Sequence, residues 1–559
     1  MRVIIFLITT CIVFNGYANW EKIGQDINGE TADDWSGRTV SLSSDGTTVA
    51  IGSNINDGNG QYSGHVRIYT FTNGIWTQTG QDIDGEAEYD RSGSSVSLSS
   101  DGTIVAIGAT GNNFDKGHVR VYTLINDTWT KIGQDIDGES SGDGSGSSVS
   151  LSSDGSVVAI GADYNNDSKG HVRIYTFANG IWVQTGQDID GEAEQDNLGS
   201  SVSLSSDGDR VAIGAAGSDN YKGHVRVYTL ANGTWVQTGQ DIDGEAAYDE
   251  SGESVSLSAD GSVVAIGAPG NNGNGSSSGH VRIYTLVNDT WVQTGQDING
   301  EASGDGSGDS VSLSADGLVV AIGAWKNNGN GADSGHVRIY ALANGTWVQT
   351  DQDINGEAAQ DFSGDSVSLS ADGTVVAIGA FKNDGGGTDS GHVRVYESSL
   401  STDSDGDGLS DFKELYTYGT ETNNIDTDGD GWGDYFEVNY SFSPISSDSV
   451  IPSNDLIVAR SELDALSNDI VTLAAETNRL RDLYLFYYDA NDQAQNEAEA
   501  VTFALQLSSK QVADLTFTNS QLQEVMGTML TSNDVHAMLD SAYVDDMVMI
   551  VSNNTASII

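Results

Sequence analysis

Two short acidic segments between residues 403 and 437 carry side chains suited to bind a hard cation. In each segment carboxylates stand at positions one, three, five, nine and twelve, with glycine at position six for a sharp turn. This is the ligand order of an EF-hand-type loop, although the apolar residue stands at position seven instead of eight. The pattern predicts Ca²⁺ as a cofactor, and an acidic linker is the alternative. The predicted ligands are Asp403, Asp405, Asp407, Asp411, Glu414, Asp426, Asp428, Asp430, Asp434 and Glu437.

A second acidic spacing occurs once in every unit of an internal repeat. Its first copy places Asp26, Asn28, Glu30 and Asp34 at positions one, three, five and nine of a loop. Two interpretations stay open. The loop oxygens bind a cation, or Asp-Gly makes a turn while the other acids are solvated or pair with a repeated arginine. Six further copies begin at Asp82, Asp135, Asp188, Asp241, Asp297 and Asp353.

A histidine and an arginine recur seven times in the motif Gly-His-Val-Arg. Histidine is the usual proton-transfer residue, but an active site needs one differentiated position. A feature that recurs in all seven repeats typically has a structural role and not a catalytic one. No Ser-His-Asp order, metalloprotease motif or pair of catalytic carboxylates is distinct from the repeat. The sequence therefore predicts no catalytic residue and no enzymatic activity.

The loop before each Gly-His differs between repeats. Repeats two, three and four carry Lys116, Lys169 and Lys222 there, whereas repeats six and seven present Trp325-Lys326 and Phe381-Lys382. Rare cations and aromatics in an acidic chain are candidates for ligand contact. The alternative is that the lysines offset local acidity.

The elements that position these residues are four short strands per repeat. The seven motif histidines are spaced by 53, 53, 53, 56, 56 and 56 residues. Ser-Val-Ser-Leu-Ser alternates with period two, a Ser/Ala-Asp-Gly turn follows, and Val-Ala-Ile-Gly presents a small-residue face that permits close stacking. After a predicted signal peptide, the mature chain begins with a lone fourth strand, Trp20 to Ile27, and the seventh repeat ends at Tyr396 without one. The sequence predicts an all-β, seven-bladed β-propeller closed by the N-terminal strand.

The repeats resemble FG-GAP repeats of integrin-α-type propellers, from Trp20 to about Glu397. Phe-Gly is mostly Ser-Gly here, and the calcium loop of that family is replaced by the short Asp-Gly turn. The two acidic segments resemble bacterial thrombospondin type 3-like repeats. That resemblance implies calcium-rigidified spacers between surface domains.

Composition and the termini complete the predicted organisation. Asp and Glu number 81 against 23 Lys and Arg, a net charge of −58, which disfavours nucleic acid and anionic membranes as partners. Val3 to Phe14 reads as the apolar part of a signal peptide, and no stretch is long enough for a membrane span. The predicted domains are a signal peptide (1–18), the propeller (19–397), calcium repeats (398–445) and a helical region (446–559) with a short coiled coil at about 461–484.

These features together predict a secreted or cell-surface adhesion module. Its partner would be an extracellular protein or glycan, and the C-terminal helices offer a route to homo-oligomers. Two alternatives stay open. One is an extracellular carbohydrate-active enzyme, a lyase or glycosidase on a propeller, and the other is a structural surface-matrix protein.

Overall fold

The computed structural model describes residues 19–429, 433–439 and 443–446. The predicted signal peptide, the predicted ligand Asp430 and the helical region from residue 447 onward lie outside these ranges, as does the coiled coil at 461–484. The described chain forms two compact units. The first contains residues up to 402 together with 410–417, and the second contains 403–409 and the residues from 418 onward.

The first unit is the predicted propeller of seven antiparallel sheets, or blades, numbered here by their first strands. The first strands are Thr39–Leu42, Ser92–Leu98, Ser148–Leu151, Leu198–Leu204, Ser254–Leu257, Ser310–Leu313 and Ser366–Leu369. The second strands are Thr48–Ser53, Ile104–Ala109, Val157–Ala162, Arg210–Ala215, Val263–Ala268, Val319–Ala324 and Val375–Ala380.

The third strands begin at the motif histidines and pair with the fourth strands at the outer edge of each blade. The third strands are His65–Thr72, His118–Ile125, His171–Ala178, His224–Ala231, His280–Val287, His336–Ala343 and His392–Ser398. The fourth strands are Ile75–Gln78, Thr128–Asp137, Ile181–Gln184, Thr234–Gln237, Thr290–Gln293, Thr346–Gln349 and, for blade seven, Trp20–Lys22.

After the fourth strand the chain pairs back onto the start of the third strand. In blade two this return is continuous with the fourth strand. The separate two-residue returns are Ile27–Asn28, Ile83–Asp84, Ile189–Asp190, Ile242–Asp243, Ile298–Asn299 and Ile354–Asn355.

Small residues let neighbouring blades stack closely enough to bury both faces of the second strand. Val105 and Ala106 are both fully buried although they point to opposite faces. At Gly108 an added Cβ would lie 2.1 Å from the carbonyl oxygen of Gly146 in the next blade. Only glycine fits this contact, which explains the glycine in Val-Ala-Ile-Gly.

The ring closes as the sequence predicts. Trp20 pairs with Ser398, and Ile27 pairs with Val393, so the N-terminal strand completes blade seven. A closed circle of backbone hydrogen bonds also runs around the axis, in which one residue of each blade donates to the next. The donors are Ser44, Ser100, Ser153, Ser206, Ala259, Ala315 and Ala371, and Ala371 donates back to Ser44.

The closing junction departs from the repeat in one residue. In the other blades the indole N–H of the fourth-strand tryptophan donates to a backbone carbonyl of the preceding blade, as Trp76 does to Ile23. The indole N–H of Trp20 donates instead to the hydroxyl of Thr350, and its backbone N–H donates to the carboxylate of Asp351. The buried Phe412 ring packs edge-on against Trp20.

Strand register decides which loops share a face. His65 pairs with Ser53 and with Asp84, and Thr39 pairs with Gly52. The start of the first strand, the end of the second, the start of the third and the return segment therefore lie at one edge of each blade. We call the ring of these seven edges the upper face. The Asp-Gly turns lie at the opposite, lower face.

The remaining described elements are short. A helical turn at Asp411–Lys413 runs into a wider turn at Glu414–Tyr418, and a helix spans Asp434–Asn439. No helix among the described residues has the length and apolar character needed to cross a membrane.

Candidate active site

The seven first strands line an axial channel whose lower end is uniform. A cavity of about 160 Å³ there is lined by one leucine per blade and by small serine and alanine residues. The side chains that line this cavity are apolar or small and carry no charge, and they repeat around the axis. The cavity therefore presents no ionisable side chain that could serve as an acid or a base. The leucines are Leu42, Leu98, Leu151, Leu204, Leu257, Leu313 and Leu369.

The upper end of the channel is different because the residue just before the Ser-Val-Ser-Leu strand varies between blades. Since all blades share one register, these seven positions are equivalent and form a ring at the mouth of the channel. We call them the mouth ring. From blade one to blade seven they are Arg38, Ser94, Ser147, Ser200, Glu253, Asp309 and Asp365. Three carboxylates thus occupy adjacent blades, and the only arginine of the ring follows them across the closing junction.

Arg38 and Asp365 form the ion pair that links blade one to blade seven. Nη1 of Arg38 lies 2.6 Å from Oδ1 and 2.5 Å from Oδ2 of Asp365, whose side chain is 5% exposed. Burial raises the pKa of Asp365, and the Arg38 guanidinium opposes that shift. Among the three acids of the ring, Asp365 is the one with a paired cation.

Glu253 and Asp309 hold protons more tightly than ordinary carboxyl groups. Glu253 is exposed to solvent by its accessible surface, but protein atoms crowd around its carboxyl group and reduce its hydration. Burial raises its pKa to about 7, and the charges of Glu250 and Asp163 add to the shift. Burial likewise raises the pKa of Asp309 well above its ordinary value, with contributions from Asp365 and Glu253. Like charges in a confined site produce this behaviour.

Four aromatic rings form a wall beside the acids. Trp35 lies edge-on to Phe381 at 5.2 Å between centroids, Phe381 stacks on Phe362 at 5.5 Å, and Phe362 lies 5.1 Å from Trp325. These rings come from blades one, six and seven, the blades that also supply Arg38, Asp309 and Asp365. We call this group the aromatic wall.

Three cations stand over the aromatic wall. Nζ of Lys382 lies 5.4 Å from the centroids of both Trp35 and Phe362, and Nζ of Lys326 lies 4.0 Å from that of Trp325. Cζ of Arg38 lies 4.9 Å from the centroid of Phe381. The Trp325-Lys326 and Phe381-Lys382 pairs, predicted as ligand contacts, are thus brought together at the channel mouth.

Two rings of the wall stand on strained backbone. The residue before Ser-Gly adopts a left-handed conformation, with φ of 55° at Trp35 and 54° at Phe362. Blades three and six place Gly144 and Gly306 there, each with φ of 63°. A bulky residue at such a position costs free energy. Arg91, Asn197 and Glu250 adopt the same conformation at this position, so the strain is a feature of the repeat and not of the aromatic wall alone.

Polar atoms near the mouth lack protein partners. Asn54 Oδ1 and Ser200 Oγ are buried and have no hydrogen-bond partner among the described residues. Ser200 belongs to the mouth ring, and Asn54 directly follows a second strand. Burial raises the pKa of the Asp163 carboxyl group, and the hydroxyl of Ser147, also in the mouth ring, lies close enough to that carboxyl group to oppose the shift. Buried unpaired polar groups are costly, so this arrangement suits a site that a polar ligand or water completes.

The repeated histidine and arginine have a structural environment. Burial and the neighbouring Arg67 lower the pKa of His65 to about 4, so this imidazole is neutral at pH 7. Arg67 in turn lies 3.5 Å from Glu30 of the preceding loop. In this loop Asp34 accepts hydrogen bonds from the backbone N–H groups of Glu30 and Thr31.

The acidic loops therefore do not gather their four oxygen side chains at one point. Groups of Glu, His and Asp do lie within reach of one another, for example Glu30, His65 and Asp82. Each such group combines two successive loops, and Arg67 supplies positive charge beside this one. The pairing of loop acids with the repeated arginine matches the second of the two interpretations of the loops.

The predicted calcium ligands are divided between the two units. Asp411 and Glu414 are buried in the propeller unit, where the hydroxyl of Thr402 donates to Asp411 at 3.3 Å. Asp430 lies outside the described residues. The others belong to the second unit: Asp403, Asp405, Asp407, Asp426, Asp428, Asp434 and Glu437.

Within the second unit the two acidic segments converge. The backbone N–H of Tyr435 in the second segment donates to Asp407 of the first at 3.2 Å. Burial and the neighbouring Asp405 raise the pKa of Asp407 to about 6. Burial, Asp426 and Asp405 also raise the pKa of Asp434. Oδ2 of Asp405 is buried without a hydrogen-bond partner.

Comparisons with known proteins bear on the fold alone. No protein-family model matches the chain, and no curated protein does, so FG-GAP and thrombospondin identity stays a resemblance. Similar solved structures include a putative 6-phosphogluconolactonase from Bacteroides uniformis, with 15% identity and a TM-score of 0.42. They also include a periplasmic gluconolactonase from Pseudomonas aeruginosa, with 18% identity and a TM-score of 0.41. Each alignment covers 57% of this chain and 85% of the other.

The prediction of no enzymatic activity was wrong in its premise that no position of the repeat is differentiated. The mouth ring is a differentiated group of side chains. Glu253, Asp309, Asp365 and Arg38 were missed because the residue before the strand was treated as repeat background. Aligning the repeats and noting where charge replaces serine would have found them.

Proposed function

We propose that this protein is an extracellular carbohydrate-active enzyme whose active site is the mouth of the propeller channel. The observation that supports this proposal is the mouth ring. One position of the repeat carries serine in three adjacent blades and Glu253, Asp309 and Asp365 in three others. An aromatic wall stands beside the acids. Aromatic faces stack on sugar rings, and carboxyl groups of differing proton affinity supply acid–base chemistry.

The roles of the carboxyl groups follow from their surroundings. Glu253, with a pKa of about 7, is the general acid that protonates a leaving oxygen. Asp365 is paired with Arg38 and is the group best placed to remain ionised, so it serves as base or stabilises positive charge. Asp309 belongs to the blade between those of Glu253 and Asp365, and burial together with these two acids raises its pKa. Glycosidases and lyases both use such a division between acid and base.

The repeat supplies matched variants that test these roles. Glu253→Ser and Asp309→Ser install the residue that blades two, three and four already carry. We expect turnover of a glycan panel to fall by about 10²–10⁴-fold in Glu253→Ser, the range for loss of a general acid. Ser94→Ala in the same ring should retain activity. Full activity in both acid variants would contradict the proposal.

A binding or adhesion function without turnover is the second candidate. It is favoured by the exposed aromatic side chains among the described residues, all of which lie in loops of the upper face. They are Tyr62, Tyr89, Phe114, Tyr164, Tyr221 and Tyr248. Exposed aromatics of this kind are typical of recognition surfaces. If glycans or matrix proteins bind to the upper face and are released without chemical change, that result would support this candidate over the enzyme.

We also propose Ca²⁺ as the cofactor of the second unit. Asp405, Asp407 and Asp434 are like charges whose pKa values are raised, so a divalent cation would relieve their mutual repulsion. The apolar leader before residue 18 supports export, and extracellular calcium suits such a site.

A further inference from the structure

The channel mouth concentrates positive charge in a chain that has little of it. Lys and Arg number only 23 against 81 acidic residues. Arg38, Lys326 and Lys382 nevertheless all stand over the aromatic wall. Lys326 partly offsets the neighbouring acids, since its charge opposes the raised pKa values of Glu250 and Asp309. The placement of all three cations over one aromatic wall points in addition to a ligand.

Two of these cations keep their hydrogen-bonding capacity free. Arg38 is committed to Asp365. Among the described residues, by contrast, no carboxylate lies within ion-pair distance of Lys326 or Lys382. The lysines on the outer strands differ, since Lys22 pairs with Asp26 and Lys131 with Asp135. An ammonium over an aromatic face is still able to donate its remaining N–H groups to an anion.

We propose that the glycan bound at the channel mouth is acidic, its sugar rings stacked on the aromatic wall and its anionic groups bound by Lys326 and Lys382. This proposal rests on the proposed function, whose substrate class it specifies. Stacking alone fits any sugar, whereas two free ammonium groups select for a carboxylate or sulfate.

The neighbouring acids are compatible with an anionic ligand. Burial raises the pKa of Glu253 to about 7, so this group is substantially protonated at pH 6, and burial also raises the pKa of Asp309 well above its ordinary value. A protonated carboxyl group does not repel an anion, and it is able to donate a hydrogen bond to it. Asp365 is already neutralised by Arg38. Charge elsewhere on the protein is screened beyond roughly 8 Å at physiological salt.

Equilibrium binding at pH 6 to three oligosaccharides of equal length tests this proposal. The probes are an oligogalacturonate, a sulfated oligosaccharide and a neutral cello-oligosaccharide. The Glu253→Ser protein is used so that turnover does not consume them. We expect the best anionic probe to bind about tenfold or more tightly than the neutral one, and added salt to reduce that preference. The two anionic probes separate carboxylate from sulfate recognition.

A lysine double variant locates the effect. In the Glu253→Ser background, Lys326→Ala with Lys382→Ala should abolish the anionic preference and leave neutral binding unchanged. Lys169→Ala with Lys222→Ala, at other upper-face lysines, should leave the preference intact. Equal binding of neutral and anionic probes, or a preference that survives loss of Lys326 and Lys382, would overturn the proposal.

Failure of this proposal is distinguishable from failure of the proposed function. If the unmodified protein binds an acidic glycan selectively but does not turn it over, the proposed enzymatic function is contradicted and the binding preference is supported. If it turns over neutral glycans alone, the enzymatic function is supported and the acidic substrate is contradicted.

Discussion

A single residue position distinguishes the blades of this propeller. The residue before the Ser-Val-Ser-Leu segment of the first strand is serine in blades two, three and four, and Glu253 occupies the same backbone position in blade five. The surrounding protein raises the pKa of Glu253 to about 7 through burial and nearby acids. At one position of the repeat, blade five thus carries a carboxyl group that titrates near neutral pH where three other blades carry a hydroxyl group.

The titration of Glu253 predicts how stability depends on pH. Its pKa is higher in the folded protein than the ordinary value of 4.5. The folded state therefore binds more protons between these two pH values, and stability falls as pH rises through about 7. We expect the melting temperature to decline from pH 5 to pH 8, and Glu253→Ser to flatten that decline in thermal scans.

An exposed glutamate provides the control for this measurement. Glu194→Ser removes a carboxylate from an exposed upper-face loop and should leave the pH dependence as it is in the parent protein. If Glu253→Ser and Glu194→Ser give the same slope as the parent protein, Glu253 does not titrate as described.

At the scale of an element, the loop before the first strand carries both strain and the aromatic wall. Trp35 and Phe362 adopt the left-handed conformation that blades three and six assign to glycine. Relief of such strain is worth of order 1 kcal/mol. Arg91, Asn197 and Glu250 adopt the same conformation in other blades, so the strain belongs to the repeat, and what distinguishes blades one and seven is the aromatic ring.

This strain predicts the effect of a change to glycine. Trp35→Gly and Phe362→Gly should weaken glycan binding at least tenfold, because the stacking surface is lost. Stability should change by no more than about 1 kcal/mol, since the relieved strain offsets the lost ring contacts. Isothermal titration and chemical denaturation report the two quantities.

Arg91 supplies the matched control for these glycine variants. It has the same left-handed conformation, with φ of 54°, in blade two away from the aromatic wall. Arg91→Gly should relieve the same strain and leave binding unchanged. Binding that survives in Trp35→Gly and Phe362→Gly would show that the wall does not contact the glycan.

The closing strand is the element on which the ring depends. Trp20 is buried, bonds to Thr350 and Asp351 of blade six, and packs against Phe412. We expect Trp20→Ala to lower the free energy of unfolding by about 3–5 kcal/mol, the range for removal of a buried aromatic. Denaturant titration of the purified protein measures this change.

The position of this tryptophan in the chain should matter as well as its burial. Trp235→Ala removes the corresponding residue from a continuous blade. Among the described fourth strands, only that of Trp20 is not connected by a hairpin to the third strand of its own blade. Local opening of blade seven should therefore be faster in Trp20→Ala than in Trp235→Ala. Hydrogen exchange of His392–Ser398 that is equally fast in both variants would contradict this prediction.

At the scale of the whole molecule, the two units are expected to respond differently to calcium. The second unit gathers Asp405, Asp407 and Asp434, whose pKa values are raised by burial and, to a smaller extent, by neighbouring acids. A bound cation would compensate both effects. At a free Ca²⁺ concentration of 100 times Kd, binding would stabilise this unit by about 2.7 kcal/mol. A chelator should therefore lower the calorimetric transition of the second unit.

Protons compete with calcium at this site, and that competition makes the calcium effect depend on pH. Burial and Asp405 hold the pKa of Asp407 at about 6, so calcium binding should weaken as pH falls through 6. Asp405→Asn should abolish the calcium shift, whereas Asp57→Asn in an exposed propeller loop should preserve it. If the calorimetric unfolding transition of the second unit is the same with calcium and with chelator at pH 7.5, the proposal that this unit binds calcium is contradicted.

The sequence by itself determined the propeller, its seven blades and the strand that closes it. These properties depend on period-two alternation, on a motif repeated at 53 to 56 residues and on the displaced Trp20 strand, all of which are visible along the chain. The ordered carboxylates between Asp403 and Glu437 were visible for the same reason, because their ligand order is a matter of local spacing.

Only the tertiary structure decided where the candidate active site lies. Arg38 and Asp365 are 327 positions apart in sequence, yet closure of the ring places Nη1 within 2.6 Å of the carboxylate. The raised pKa of Glu253 likewise depends on Asp163 from another blade. In a repeat protein the local pattern fixes each blade, whereas a site at the axis is made of single residues from every blade. Their differences acquire chemical meaning only when the ring brings them together.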